Sequence, residues 1–143
     1  MRKESVSSIV KNSQNLMNKV VLSTANRMEG AEITYKIDDA LKARGITQQD
    51  LAKMTGINHT NISRWVNGKT GININKVHLL AIMVALRITD IAELISVKLP
   101  NELENKYEQQ RVEWLSSKKL PNEVKEMFRE NLLASMNLTD DKI

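Results

Sequence analysis

Residues 47–70, "TQQDLAKMTGINHTNISRWVNGKT", decide the fold of this chain. Hydrophobic residues at helical spacing lie on both sides of Gly56. Glycine readily adopts the left-handed backbone that a sharp bend requires, whereas other residues resist it. The spacing therefore predicts two short helices joined by a tight turn and packed at an angle, as in a helix-turn-helix. The predicted inner face consists of Leu51, Ala52, Met54, Ile57, Ile62 and Trp65.

The second of these helices has an outer face that forms hydrogen bonds and carries no negative charge: His59, Thr60, Asn61, Ser63 and Arg64. Such a face suits the base edges of a DNA major groove. Each residue also has an ordinary structural explanation. His59 is then a plain surface residue, Arg64 pairs with an acid, and Asn58 only caps the helix.

Start and stop residues define further helices within residues 33–97. The first predicted helix covers roughly residues 35–44 and is ended by Gly45. Thr47 is the predicted N-cap of the next helix, and Asp50 is placed to complete a capping box with it.

Two more helices are predicted after the helix-turn-helix. Asn73 or Asn75 begins a longer helix that ends at Leu86, and Thr89 caps a short helix at residues 90–95. The chain has 3% aromatic residues, 5 glycines and 2 prolines, a composition that favours helices over a sandwich or barrel. The predicted fold class is therefore all-α.

Residues 33–97 resemble the lambda-repressor/Cro-like, or XRE, family of helix-turn-helix domains. The resemblance implies a five-helix DNA-binding domain. It departs from the family pattern at Val66, where many relatives have glutamate, and in the loop 70–75, which lacks a common proline. The matching residues are Thr47-Gln48, Leu51-Ala52, Gly56, Ile62-Ser63, Trp65, Asn67-Gly68-Lys69, Leu79, Ile82, Ala85-Leu86 and Ile88.

The resemblance also implies roles for individual residues at a double-stranded DNA operator. The helix after the turn enters the major groove, and the residues around it hold the DNA backbone. The implied base contacts are Asn58, His59, Thr60, Asn61 and Arg64. The implied phosphate contacts are Gln48, Asn67, Gly68 and Lys69.

The segments on either side of this domain match no family that the residues identify. Residues 1–32 are predicted to form an N-terminal amphipathic helical arm, with the helix over residues 5–28. This arm serves either dimerisation or docking on its own domain.

Residues 98–143 contain a short repeat, "LPNEL" at 99–103 and "LPNEV" at 120–124, which predicts a C-terminal helical hairpin. The hairpin would serve dimerisation or bind a regulatory protein or peptide. The residues predicted to be buried in it are Leu103, Tyr107, Trp114, Leu115, Val124, Met127, Phe128, Leu132 and Met136.

Charge and composition limit the function. The net charge is +4, and no acidic residue occurs between Asp50 and Asp90, so a polyanion would bind there. The chain has no cysteine and 2 histidines, so no metal site or cofactor is predicted. The sequence has no phosphate-binding glycine loop and no paired carboxylates in a plausible cleft, so no enzymatic activity is predicted. Without a secretory or membrane-spanning segment, the expected location is the cytoplasm.

The sequence thus predicts a sequence-specific DNA-binding transcription regulator, in particular a homodimeric repressor of phage or mobile-element type. The alternative is an antirepressor or inhibitor that binds another protein through the hairpin at residues 98–143. The aromatic content of that hairpin motivates the alternative.

Overall fold

The computed structural model describes the backbone of residues 2–67 and 75–140 and the side chains of residues 3–67 and 75–136. Most of the chain is helical. The strands and α-helices, in chain order, are β1 (Arg2–Ser5), α1 (Val6–Asn12), α2 (Lys19–Ala25), β2 (Glu32–Tyr35), α3 (Ile37–Ala43), α4 (Gln48–Thr55), α5 (His59–Val66), α6 (Lys76–Leu86), β3 (Ile95–Lys98), α7 (Asn101–Ser117) and α8 (Asn122–Asp140), with 3₁₀ turns at Asn26–Met28 and Ile91–Glu93.

The prediction of a mainly helical fold is confirmed, but the chain is not all-α, because it also forms a small antiparallel sheet in the order β1-β2-β3. Arg2 lies opposite Tyr35 in the first pair of strands, and Glu32 lies opposite Lys98 in the second. Each strand is only four residues long, and β1 consists of polar residues without alternation. A strand of this kind leaves no hydrophobic pattern for sequence analysis to detect.

The sheet joins the three segments that the sequence analysis had separated. β1 belongs to the N-terminal segment, β2 leads into α3, and β3 leads into α7. The N-terminal segment is also not one helix over residues 5–28. It breaks after α1, and Asn18 caps α2 by accepting a hydrogen bond from the backbone N–H of Val20.

The hydrophobic core lies among α3, α4, α5 and α6. α5 packs against α3 and α4, and α6 packs against α4. Met54, which was placed on the inner face, is instead 52% exposed, because α4 directs that position to solvent. The buried residues of this core are Ile37, Ala40, Leu41, Leu51, Ile57, Ile62, Trp65, Ile82, Leu86, Ile88 and Leu94.

At one helix boundary the structure decides between two predicted alternatives, and at another it differs from the prediction. Asn75 is the N-cap of α6, which was one of the two alternatives, and it accepts a hydrogen bond from the N–H of Val77. The predicted fifth helix at residues 90–95 is only the 3₁₀ turn Ile91–Glu93. Its cap is Asp90 rather than Thr89, since the Asp90 carboxylate accepts from the N–H of Ala92 at 2.9 Å.

The C-terminal helices bury less than the sequence predicts. α7 contains no buried residue. The side chains predicted to be buried are partly covered at Leu103, Tyr107, Val124 and Met127. The others remain exposed: Trp114 at 40%, Leu115 at 60%, Phe128 at 64%, Leu132 at 54% and Met136 at 56%. Hydrophobic periodicity marks these faces, but it does not tell what covers them.

The sheet can be tested through Tyr35. Burial, followed by a hydrogen bond to the carboxylate of Glu4 on β1, raises the pKa of Tyr35 from 10.0 to about 12. Neutral Tyr35 therefore contributes stability that is complete below pH 10.0 and is lost as the pH rises through about 12.

We expect an alkaline titration, followed by tyrosinate absorbance, to show a step near pH 12 that Tyr35→Phe removes. Glu4→Gln should move this step towards lower pH only in part, because burial is the larger cause. If Tyr35 titrates at its ordinary value, the packing of β1 on β2 is wrong.

Candidate nucleic-acid interface

A capping box fixes the start of α4. The backbone N–H of Asp50 donates to the hydroxyl of Thr47, and the backbone N–H of Thr47 donates to the Asp50 carboxylate at 2.9 Å. The hydrogen bond from the Thr47 backbone to the carboxylate, followed by a hydrogen bond with the Thr47 side chain, holds the pKa of Asp50 below its usual value. The predicted capping box is confirmed.

The turn between α4 and α5 depends on Gly56 and Thr55. Gly56 has a φ of +81°, and its N–H donates to the carbonyl of Ala52 at 2.8 Å. The Thr55 hydroxyl donates to the carbonyl of Leu51 and accepts from the N–H of Ile57. Thr55 thus connects the end of α4 to the turn, a role that sequence analysis missed, although a hydroxyl residue just before the glycine was a usable signal.

α5 is held in place by two buried side chains. Ile62 has no exposed surface, and Trp65 is 4% exposed. The ring of Trp65 lies against the ring of His78 on α6, with 5.5 Å between the ring centroids. These contacts lock both the position of α5 and its rotation about its own axis, so the opposite face is forced outwards.

The residues predicted to contact bases lie together on this outward face. Asn58, His59, Thr60 and Arg64 are exposed, and Asn61 is half-buried. Ser63 is also half-buried. The five predicted base-contacting residues therefore lie along the length of α5, from its N-cap Asn58 to Arg64 in its last turn, and four of them are exposed.

Asn58 is the N-cap of α5. Its side-chain oxygen accepts a hydrogen bond from the N–H of Thr60 at 2.8 Å. The cap uses only the oxygen, so the amide NH₂ group of the same side chain keeps its two donors for another partner. Capping and base contact are therefore compatible roles for Asn58.

The residues predicted to contact phosphates are described only in part. Gln48 is the first residue of α4 and is half-buried at the positive end of that helix, where an anion is favoured. Asn67 is the exposed C-cap of α5, and its amide donates to the Ser63 hydroxyl at 3.4 Å. Gly68 and Lys69 lie outside the described residues.

The electrostatic surroundings of α5 are cationic. No acidic residue occurs in the sequence from Leu51 to Thr89. Among residues 2–67 and 75–140, neither Lys53 nor Arg64 forms an ion pair, whereas Arg44 pairs with Glu93. Within the described part of the chain, Arg64 is therefore not neutralised by an acid, which was its alternative explanation.

The described residues contain no group of three or more His, Cys, Asp or Glu side chains that would hold a metal ion. None of the helices in the part described is both long enough and apolar enough to cross a bilayer.

Residues 36–99 match the family model of the Cro/C1-type HTH DNA-binding domain. This match confirms the resemblance predicted from the sequence, and the segment that it covers carries α3 to α6. Searches of curated proteins and of solved structures gave no significant match.

The cap of α5 can be tested by substitution. Asn58→Ala should lower the free energy of unfolding by about 1 kcal/mol, because the N–H of Thr60 loses its acceptor. Asn58→Ser should keep most of the stability, since a serine hydroxyl also caps helices. Urea unfolding measures both values, and an equal loss in the two variants would argue against the capping role.

The capping box of α4 predicts a dependence on acid. The pKa of Asp50 is lowered in the folded state from an ordinary value of 3.8, so its stabilising effect is present above that pH. The effect is lost as the pH falls through the folded-state pKa. Asp50→Asn should weaken this part of the acid dependence of unfolding, whereas Glu113→Gln, at an exposed position on α7, should leave it unchanged.

Proposed function

We propose that this protein is a sequence-specific transcription regulator that binds double-stranded DNA by inserting α5 into the major groove. The match of residues 36–99 to a Cro/C1-type HTH DNA-binding domain supports the general activity. The observation that carries the specific proposal is the geometry of α5. Its inner residues Ile62 and Trp65 are buried, while its outer residues are polar, acid-free and either exposed or half-buried.

The proposed base contacts follow from the chemistry of each side chain. Arginine pairs with guanine through two hydrogen bonds, which suits Arg64, and asparagine pairs in the same way with adenine. Asn61 and the free amide group of Asn58 are therefore candidates for adenine. His59 and Thr60, at the exposed start of α5, are placed to select among the remaining base edges.

The proposed phosphate contacts flank this reading face. Gln48 would donate to a phosphate with help from the positive end of α4. Asn67, Gly68 and Lys69 would hold the backbone at the other end of α5. The contacts of Gly68 and Lys69 are proposed from the sequence pattern alone.

The proposal includes a homodimer that acts as a repressor, of the phage or mobile-element type. One recognition helix reads only a few base pairs, and two copies on a symmetric operator provide enough specificity. The two half-sites would then lie about 34 Å, or one helical turn of DNA, apart.

A second candidate function is an antirepressor or inhibitor that binds another protein through residues 98–143. The observation that favours it is the exposed apolar surface on α7 and α8, where Leu115 and Phe128 are 60% and 64% exposed. A pulldown with a chain that lacks residues 98–143, compared with a gel shift of the full chain, distinguishes the two functions.

Arg64 provides the test of sequence reading. The preferred operator is first selected from a random pool of duplexes at a fixed salt concentration, because affinity depends on salt. Arg64→Ala should then weaken binding by about 1–3 kcal/mol and relax the preference at one base pair. Lys118→Ala, in the turn between α7 and α8, is the control that should bind as the wild type does.

Lys69 provides the test of backbone contact. Lys69→Ala should weaken binding to all duplexes alike and reduce the slope of log affinity against log salt by about 1. Wild-type affinity and salt slope in both the Lys69 and Arg64 variants would contradict the proposed DNA interface.

A further inference from the structure

The two C-terminal helices leave an apolar groove between them. The groove has a volume of about 600 Å³, and its walls include Tyr107, Trp114 and Leu115 from α7 and Val124 and Met127 from α8. An ion pair links the two helices, where Lys106 and Glu123 are 2.8 Å apart. This volume lies within the range of pockets that bind small molecules, so the groove could also hold a few side chains of a protein partner.

The charged residues of the groove do not favour a charged partner. Its three cationic residues are already paired with carboxylates at 2.8 Å: Lys106 with Glu123, Arg111 with Glu108, and Arg27 with Glu130. An acidic peptide or a nucleic acid would have to break these pairs. The occupant that fits best is therefore apolar and uncharged on the face that enters the groove.

The same chain carries such a face on α8. Phe128, Leu132 and Met136 follow one another at intervals of four residues, and Leu133 lies beside them. All four are more than half exposed. The sequence has no charged residue from Asn131 to Met136, so burying that part of α8 would desolvate no charge. We call these four side chains the α8 ridge.

α2 extends the apolar surface beside the ridge. Arg27, just after α2, bonds to Glu130, and Thr24 on α2 bonds to Asn131 at 2.9 Å. Val21 on α2 and Met17 just before it are both 54% exposed.

The size of this surface matches a protein interface. Eight apolar side chains contribute: Met17, Val21, Trp114, Leu115 and the four residues of the α8 ridge. With about half of each exposed, and about 200 Å² for a large side chain, they present roughly 800 Å². A stable interface buries about 800 Å² on each partner, and few monomers expose apolar patches larger than about 600 Å².

We infer that the occupant of the groove is the α8 ridge of a second copy of this chain. In a two-fold dimer the groove of each copy faces the ridge of the other copy. A chain that carries both a groove and a ridge can therefore bury both surfaces in the same dimer. Residues 98–143 carry 8 basic and 9 acidic groups, a net charge of −1, so two hairpins do not repel each other strongly. The inference rests on the homodimer of the proposed function, and it adds the surface through which the two copies pair.

Cross-linking tests the geometry, because the chain has no cysteine of its own. One sample carries Leu115→Cys in the groove wall, and a second, with a different affinity tag, carries Leu132→Cys on the ridge. Mixing them with a short thiol-specific cross-linker should give a covalent heterodimer in the absence of DNA. Val84→Cys, at an equally exposed position on α6, replaces Leu132→Cys in the control and should give none.

Light scattering tests the energetics on the full chain. The wild type should have about twice the monomer mass of 16.3 kDa. Leu132→Glu should weaken the dimer at least about tenfold, since the new carboxylate would be buried without a partner. Val84→Glu should leave the mass unchanged. Circular dichroism of both variants separates loss of the interface from loss of the fold.

The outcomes for the two proposals are distinct. A wild type that is monomeric at all concentrations overturns the inference together with the proposed homodimer, and leaves DNA binding by single half-sites in place. Equal cross-linking through Leu132→Cys and the control Val84→Cys overturns the inference alone. A cross-linked dimer that binds no selected duplex contradicts the proposed function and leaves the interface in place. A monomer whose groove takes up another protein supports the second candidate function instead.

Discussion

The contact of α5 with α4 is the constraint on which the rest of the structure depends. Leu51, Ile62 and Trp65 are buried where the two helices meet. Because protein interiors are close-packed, these side chains fix the rotation of α5 as well as its position. A polar face is useful for reading DNA only if it is held at a constant angle, and the core of α3 to α6 provides that rigidity.

Local signals made this part of the chain predictable from the sequence. The capping box at Thr47, the left-handed Gly56 and the cap at Asn58 each involve residues no more than four apart, and all three are present in the structure. Such signals act within one turn of helix, so they can be identified without knowing the fold. These signals placed the proposed base-contacting residues on α5. The contacts of those residues with DNA stay a prediction.

The sheet and the C-terminal helices were not predictable in the same way. β2 and β3 are separated by more than fifty residues, and strands of four residues carry too little pattern to reveal such a pairing. In α8 the periodicity did reveal an apolar face. We predicted that this face is buried, yet Phe128 is 64% exposed. The sequence of a helix does not show whether the residues that cover its apolar face belong to the same chain.

The central place of β2 has a consequence for any shortened form of the protein. β1 covers one edge of β2, and β3 covers the other. Removal of residues 1–5 would leave the backbone N–H and C=O groups of Glu32–Tyr35 without partners along that edge. A trimmed chain would keep every residue of α5, yet it would gain a site at which strands of different molecules add to one another. Aggregates formed in this way would have a sheet at their junctions and would be unrelated to any pairing through α8.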